Sequence, residues 1–142
     1  MSASGVGKLK FIETIMDQHV YLDILRENLK SSAEKLNLGN FIFQQDRDPK
    51  HTAKRVKEWL LYNAPKQLNT PPQSPDMNPI EHLWDEIGRR IRKSNIRNKK
   101  QLKNAITTQW NSIGPEVTKK LVEGMKNRLL EVIPAKGGHT SY

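Results

Sequence analysis

The sequence has 142 residues and no cysteine; 35% of the residues are hydrophobic, and 24 Lys and Arg against 15 Asp and Glu give a formal net charge of +9. The length suits a single domain with a modest core, and the composition excludes disulfides, Cys-based zinc sites and a membrane span and predicts an intracellular location. The positive charge favours nucleic acid over a membrane surface as partner.

The N-terminal part predicts a strand, a helix and a second strand. Residues 8–12 have the apolar and β-branched content of a short strand, and Asp17 is placed to cap the helix that follows. Gly39 comes where that helix should stop. The apolar run 41–43 predicts a buried strand with Asp46 at its C-terminal end. The helix has apolar residues at helical spacing, namely Val20, Tyr21, Ile24, Leu25, Leu29 and Leu36.

The middle of the chain alternates between regular segments and a rigid loop. Thr52 can cap a helix that reaches Tyr62, and residues 67–69 are consistent with a further short strand. Segment 70–75 contains three prolines, which fix φ and remove backbone donors, so it cannot be regular structure.

Three helices are predicted in the C-terminal half. Asn78 is a helix cap, Pro79 occupies the first helical position and Glu81 lies three residues after the cap. A second helix is expected over 99–113, and Pro115 can start the last one. The pattern as a whole predicts an α/β fold whose sheet is too small to stand alone, which indicates that an N-terminal part is missing.

Two carboxylates are placed to share a cleft. Asp46 ends a strand, Glu81 opens a helix, and 34 residues separate them. Carboxylates at such positions can hold two Mg²⁺ ions about 3.5–4 Å apart for phosphoryl transfer. Each acid also has a simpler interpretation, because Glu81 fits a capping-box glutamate and Asp46 fits a turn residue. His51 fits a surface or capping residue in the same way.

The surrounding residues narrow these alternatives. Segment 43–53 reads FQQDRDPKHTA and resembles the block around the second acid of Tc/mariner-superfamily DDE transposases. Segment 72–84 reads PQSPDMNPIEHLW and resembles the block around their third acid. The separation of the two acids is the one typical of the Tc-like branch, and the resemblance covers nearly the whole chain.

The resemblance implies a fold and a chemistry. Family members have a ribonuclease-H-like fold, with a mixed sheet flanked by helices, and use Mg²⁺ or Mn²⁺ to cut and join DNA. Asp46 and Glu81 match the last two of their three catalytic, metal-binding acids. The implied partner is double-stranded DNA, at transposon ends and TA target sites, and a homodimer and a nuclear location are compatible with it.

The sequence departs from the family pattern at several points. The strand that should carry the first catalytic aspartate and the N-terminal helix-turn-helix region are expected to be absent, so we interpret residues 1–142 as one incomplete catalytic domain. Arg47 replaces the usual asparagine, and it can either stabilise ionised Asp46 or contact a DNA phosphate. Thr70 replaces a common tryptophan, a loss that should loosen packing under the proline loop.

Basic residues crowd the end of the Glu81 helix and the start of the next. This basic cluster is either a solvated face or a sequence-independent contact with the DNA backbone, and a nuclear localisation signal is a weaker interpretation. The cluster consists of Arg89, Arg90, Arg92, Lys93, Arg97, Lys99, Lys100 and Lys103. The residues predicted to contact DNA are Lys50, His51, Arg89, Arg90, Arg92 and Lys93.

Three functional hypotheses follow. The first is a fragment of a cut-and-paste DNA transposase, expected to be inactive as an isolated chain. The second is a transposon-derived remnant that binds DNA without catalysis. The third is a basic, helical nucleic-acid-binding protein with no enzyme ancestry, which the two acid-containing segments disfavour.

Overall fold

The computed structural model describes residues 1–68, 70 and 74–135. Over these residues the chain groups into two compact units, which we name by the acid that each contains. The Asp46 unit is Gly7–Ser74, and the Glu81 unit joins Met1–Val6 to Pro75–Tyr142. The interpretation of the chain as a single domain stays a prediction. None of the described helices has the length and apolar character that a bilayer crossing requires.

The described elements are five helices, two short strands and one 3₁₀ turn. In chain order they are α1 (Gln18–Lys35), β1 (Phe43–Gln44), α2 (Lys54–Asn63), β2 (Gln67–Leu68), the 3₁₀ turn Pro75–Met77, α3 (Pro79–Ile91), α4 (Lys99–Asn111) and α5 (Pro115–Ala135).

The Asp46 unit is built on the packing of α1 against α2. Its core contains Leu22 and Leu25 of α1, Val56 and Leu60 of α2, and Ala64 just after α2. These residues recur at helical spacing, so each helix presents one apolar stripe that is removed from water only when the two helices pack together.

Both ends of α1 are capped by side chain or backbone. Asp17 accepts hydrogen bonds from the backbone N–H groups of His19 and Val20, both at 2.9 Å, which confirms it as the helix cap. The predicted stop at Gly39 is wrong. Asn37 adopts φ 52° directly after the last turn and donates its N–H to the Glu34 carbonyl at 3.0 Å. Asparagine tolerates this left-handed conformation, so α1 ends before Asn37 instead of continuing to Gly39.

The described sheet has two parallel strands, with Phe43 opposite Gln67 and Gln44 opposite Leu68. It is shorter and less buried than expected, because Ile42 of the predicted 41–43 strand is 64% exposed. Residues 8–12 do not form the predicted strand. No described strand pairs with them, and the Lys8 N–H donates instead to the Ser32 hydroxyl at 3.0 Å.

The start of α2 also differs from the prediction. Ala53 occupies the cap position without a side-chain hydrogen bond. The Thr52 hydroxyl donates to the Asp48 carbonyl at 3.2 Å and is therefore engaged by the preceding loop rather than by the helix. Of the strand predicted over 67–69, Asn69 lies outside the described residues, as do residues 71–73 of the proline loop.

The Glu81 unit packs α3 against α4 and α5. Leu83 and Ile87 of α3 are buried together with Trp110 and Ile113. The N-terminal segment joins this unit through Thr118, which is fully buried and donates its hydroxyl hydrogen bond to the carbonyls of Ala3 and Pro115. The predicted starts of α3 at Pro79 and of α5 at Pro115 are confirmed.

Candidate functional site

Asp46 lies two residues after β1, on the loop that leads to α2. Its side chain is 61% exposed, yet one of its two oxygens is held. Asp46 Oδ1 accepts the backbone N–H of Asp48 at 3.2 Å and contacts Nδ1 of His51. Within the described part of the chain, Oδ2 has no hydrogen bond or ion pair. Asp46 therefore does act as a turn residue, and it still offers one oxygen to a ligand.

The loop after Asp46 is closed by its own polar groups. Asp48 accepts the Lys50 N–H at 2.8 Å, and its other oxygen pairs with the Lys50 ammonium at 2.9 Å. These hydrogen bonds from Lys50 hold the pKa of the Asp48 carboxyl below its ordinary value. The Asp48 carbonyl also accepts the N–H groups of His51 and Thr52, at 2.9 and 3.0 Å. These hydrogen bonds therefore fix the backbone position of His51.

His51 points inward, so its interpretation as a surface residue is wrong. Its side chain is only 14% exposed, and its ring lies against that of Tyr21, with centroids 3.9 Å apart and planes tilted by 31°. An ionised carboxylate can only accept, so Nδ1 donates to Asp46. Nε2 is buried and has no hydrogen-bond partner among the described residues. An orphaned buried polar atom costs about 1–3 kcal/mol, which calls for an explanation outside packing.

Tyr21 and Gln45 complete a network around His51. The Tyr21 hydroxyl donates to Gln45 Oε1 at 2.7 Å, and Gln45 Nε2 donates to the His51 carbonyl at 3.1 Å. Thr70 donates its hydroxyl hydrogen bond to the Gln45 carbonyl at 3.3 Å. Burial of the Tyr21 hydroxyl, with a smaller contribution from the charge of Asp46, raises the pKa of Tyr21 well above its ordinary range. The phenol therefore stays protonated and remains a donor.

Sequence reasoning missed the roles of Tyr21 and Gln45. Tyr21 fits the apolar spacing of α1, and Gln45 continues the strand that precedes Asp46. The partners are 24 residues apart, so no local pattern joins them. A hydroxyl on an otherwise apolar helix face was the one available signal, since a buried tyrosine usually finds a polar partner.

Glu81 is the third residue of α3 and is exposed. The capping-box interpretation is wrong, because the Asn78 N–H that such a glutamate would bind donates to the Pro75 carbonyl at 3.0 Å. The Asn78 side chain instead accepts the Ile80 N–H at 3.4 Å. No hydrogen bond or ion pair engages the Glu81 carboxylate in the described ranges. Its carboxylate lies in the first turn, at the N-terminal end of α3.

The two acids belong to different units, and each is described within its own. Both carry hard, anionic oxygens that are available to a ligand, the donor type that Mg²⁺ and Mn²⁺ prefer. Counting only described residues, no group of three or more His, Cys, Asp or Glu side chains forms a complete metal cage. Each acid, taken within its own unit, therefore fits a divalent cation that has few protein ligands and completes its coordination with substrate and water.

The six residues predicted to contact DNA divide into engaged and unengaged side chains. Arg89 and Arg90 both pair with Glu86, and the hydrogen bond from Arg90, at 2.8 Å, is the main reason that the pKa of Glu86 is lowered. Lys50 and His51 are engaged by Asp48 and Asp46 as described above. The side chains of Arg92 and Lys93 are exposed, and neither forms an ion pair or hydrogen bond with a described residue.

Arg47 is also exposed and forms no ion pair in the described part of the chain. The alternative in which its guanidinium pairs with Asp46 is therefore not the arrangement observed. Thr70 donates a hydrogen bond to the Gln45 carbonyl, whereas residues 71–73, which follow it in the sequence, lie outside the described residues.

Comparison with known proteins identifies the family. A family model described as DDE superfamily endonuclease matches residues 8–103. The chain is 39% identical over 141 residues to the Tcb2 transposase of Caenorhabditis briggsae and 42% identical over 146 residues to the Tc1 transposase of Caenorhabditis elegans. Each match covers 99% of this chain and 52% of the relative, so the chain spans about half the length of these relatives.

Solved structures agree on the fold. The catalytic domain of Mos1 transposase, solved with raltegravir and Mn, matches this chain with a TM-score of 0.86 at 18% identity. The match covers 98% of this chain and 74% of the Mos1 chain. The Mos1 strand transfer complex has a TM-score of 0.78 at 19% identity, over 90% of this chain and 38% of its own. These likenesses confirm the ribonuclease-H-like fold class, although the described chain is mostly helical.

The family match removes the third hypothesis, a nucleic-acid-binding protein without enzyme ancestry. Asp46 and Glu81 both fall inside the matched segment 8–103, as do Tyr21, Gln45 and His51. The chain belongs to the DDE superfamily endonucleases and, among them, to the Tc/mariner transposases.

Proposed function

We propose that the chain is part of a cut-and-paste DNA transposase in which Asp46 and Glu81 bind a divalent cation, Mg²⁺ or Mn²⁺, for DNA cleavage and strand transfer. One observation carries the proposal. Each of the two acids in the family-like segments is exposed and keeps at least one carboxylate oxygen without a partner among the described residues. The relatives that cover nearly the whole chain are themselves transposases.

The residues contribute by holding charge in place. A bound divalent cation supplies charge neutralisation at the scissile phosphate and activation of the attacking hydroxyl. Asp46 lies on a loop, and its Oδ1 is already hydrogen-bonded. Its Oδ2 can therefore bind a cation with little rearrangement of the side chain. Glu81 presents its carboxylate from the first turn of a helix, where the backbone is fixed. Phosphoryl transfer asks for little beyond such positioning and charge.

The proposed partner is double-stranded DNA, at transposon ends and at TA target sites. Arg92 and Lys93 support it, because they are exposed cations whose side chains form no described ion pair, on the segment directly after the helix that carries Glu81. The Mos1 relatives were solved as a strand transfer complex and as a paired-end complex with the left transposon end. A homodimer and a nuclear location stay predictions.

The metal site is tested by Mn²⁺ binding to the 142-residue chain, measured by water-proton relaxation. Asp46→Asn and Glu81→Gln are each expected to weaken binding by at least about tenfold, since each removes an anionic ligand. Asp85→Asn is the matched control, because Asp85 is an exposed acid on the same helix as Glu81. Equal affinities for the wild type, Asp46→Asn and Glu81→Gln would contradict the proposal.

DNA binding is tested by its salt dependence. Arg92→Ala and Lys93→Ala are expected to lower the slope of log affinity against log salt by about one unit each, as loss of a phosphate contact does. Arg89→Ala is the control, because Arg89 is already paired with Glu86. Salt-dependent DNA binding without any Asp46-dependent binding of Mn²⁺ would favour the alternative, a catalytically inactive DNA-binding remnant.

Mg²⁺-dependent cleavage of transposon-end DNA by the purified 142-residue chain, lost in Glu81→Ala, would support the proposed chemistry.

A further inference from the structure

We propose that His51 is a positioning residue, which fixes the carboxylate of Asp46 so that Oδ2 faces a ligand. The proposal deepens the proposed function and rests on it for the identity of that ligand. Two contacts hold the His51 ring: Nδ1 meets Asp46 Oδ1, and one face lies against Tyr21. The second ring nitrogen, Nε2, is buried without a partner among the described residues.

Packing alone does not orient the carboxylate of Asp46. Its side chain is 61% exposed and follows a strand of only two residues, so packing does not select its rotamer. Two donors, the His51 ring and the Asp48 N–H, converge on the same oxygen, Oδ1. Both bonds can form together only for a restricted range of side-chain torsions. The carboxylate is therefore held by one oxygen, and the other is left for binding.

His51 is itself held by Tyr21 and Gln45. The Tyr21 ring covers one face of the imidazole, and the Tyr21 hydroxyl bonds Gln45, whose amide bonds the His51 carbonyl. Tyr21 precedes Leu22, which is buried in the core between α1 and α2. The side chain of Asp46 is thus connected to the core of the unit through two side chains, those of His51 and Tyr21.

Histidine supplies both an aromatic ring and a hydrogen-bond donor at this position. Phenylalanine would fill the same space against Tyr21 and would leave no buried nitrogen unpaired. The property of histidine that the contacts use is the donor at Nδ1. Asparagine can place an amide N–H near the position of Nδ1, so the two substitutions separate packing from hydrogen bonding. His51→Phe keeps an aromatic ring without the donor and tests packing, whereas His51→Asn keeps a donor without the ring and tests hydrogen bonding.

The first experiment needs no metal. Three-bond NMR couplings to the Asp46 Cγ, measured on the labelled 142-residue chain, report how many χ1 rotamers the side chain samples. We expect one rotamer in the wild type, averaged couplings in His51→Phe, and one rotamer again in His51→Asn. His19→Phe is the matched control, because His19 is an exposed histidine that contacts Arg55 and not Asp46. A single Asp46 rotamer in His51→Phe overturns the proposal.

A second measurement uses native His51 and so does not depend on the folding of a histidine variant. Long-range ¹H–¹⁵N spectra show which ring nitrogen carries the proton. The proposal expects the proton on Nδ1 in the wild type and a changed tautomer distribution in Asp46→Leu, which removes the acceptor. A ring protonated at Nε2 alone in the wild type excludes donation to Asp46 and overturns the proposal.

Mn²⁺ affinity then connects positioning to function. His51→Phe is expected to weaken binding by about tenfold or more, the usual effect of removing a residue that orients a metal ligand, and His51→Asn is expected to restore most of it. Wild-type affinity in His51→Phe, together with weak binding in Asp46→Asn, would overturn the effect of His51 on the metal while leaving the proposed function intact. Binding that is indifferent to Asp46 would remove the proposed metal site, and the Asp46 couplings would still decide the positioning role.

Discussion

The carboxylates of Asp46 and Glu81 are held in different ways. Asp46 lies on a loop, and its carboxylate is held at one oxygen by a histidine side chain and a backbone amide. Glu81 lies in the first turn of α3, and its carboxylate has no described partner. A helix terminus fixes the backbone by itself, whereas a loop requires side chains for the same purpose. The Asp46 unit therefore contains a supporting network of a kind that the structure does not show around Glu81.

Because Asp46 is held through side chains, we expect its loop to depend on the core between α1 and α2. Leu60→Ala is expected to lower the free energy of unfolding by about 2–5 kcal/mol, because Leu60 is fully buried between α1 and α2 and its loss leaves a cavity. Denaturant unfolding measures the change. Leu61→Ala is the control: Leu61 is 62% exposed, and its loss should stay within about 0.5 kcal/mol. Similar losses at the two positions would show that the described burial does not decide stability here.

The start of α3 tests whether backbone capping alone fixes the position of Glu81. Asn78→Ala is expected to cost about 1 kcal/mol of unfolding free energy, because the Ile80 N–H loses its side-chain acceptor. Asn78→Asp should keep most of the stability, since a carboxylate accepts the same hydrogen bond. An Asn78→Ala variant as stable as the wild type would mean that the 3₁₀ turn before α3 holds the helix start without the cap.

Glu81→Ala provides the sharpest contrast with its neighbour Asn78. We expect a change in unfolding free energy of less than about 0.5 kcal/mol, because no described group depends on the carboxylate. The same denaturant measurement decides it. A loss as large as that of Asn78→Ala would restore the capping-box interpretation of Glu81 and would weaken the argument that its oxygens are kept available.

The segments that sequence reasoning predicted well are those governed by local rules. Asp17, Asn78 and Pro79 have their expected places because helix capping depends on a few adjacent residues. The errors arose where a competing local group took the same role. Asn37 ends α1 in place of Gly39, and Thr52 bonds the loop carbonyl of Asp48 in place of the α2 terminus.

The candidate site was predicted only in part for a different reason. Asp46 and Glu81 were chosen as candidates because they stand in long family-like segments, but the network around Asp46 joins residues far apart in the sequence. Tyr21 and Gln45 are 24 residues apart, as far as Lys8 is from Ser32, where another expectation failed. Periodicity assigns Tyr21 to an apolar face and cannot show that its hydroxyl reaches a glutamine on another element.

The smallest expected effect concerns the pKa of Glu86, an acid of α3 that is paired with arginines, unlike Glu81 of the same helix. Glu86 is 24% exposed and accepts hydrogen bonds from Arg90 and Arg89, whereas Glu81 accepts none that is described. The Arg90 hydrogen bond lowers the pKa of Glu86 against the opposing effect of its partial burial, and the charge of Arg89 adds to the lowering. A pKa lowered by folding stabilises the native state above the ordinary glutamate pKa, and this contribution is lost as pH falls through the lowered value.

Arg90→Met should therefore raise the pKa of Glu86 and reduce the loss of stability between neutral and acidic pH. Arg89→Met should raise the Glu86 pKa less, since Arg89 is the smaller cause, and Arg92→Met should leave it unchanged because Arg92 has no described partner. Carboxyl ¹³C shifts followed from neutral to acidic pH give the three values directly. If Arg92→Met moved the Glu86 pKa as far as Arg90→Met does, the basic cluster would act as one diffuse field. The distinction between engaged and available side chains, on which the choice of Arg92 and Lys93 as DNA contacts depends, would then fail.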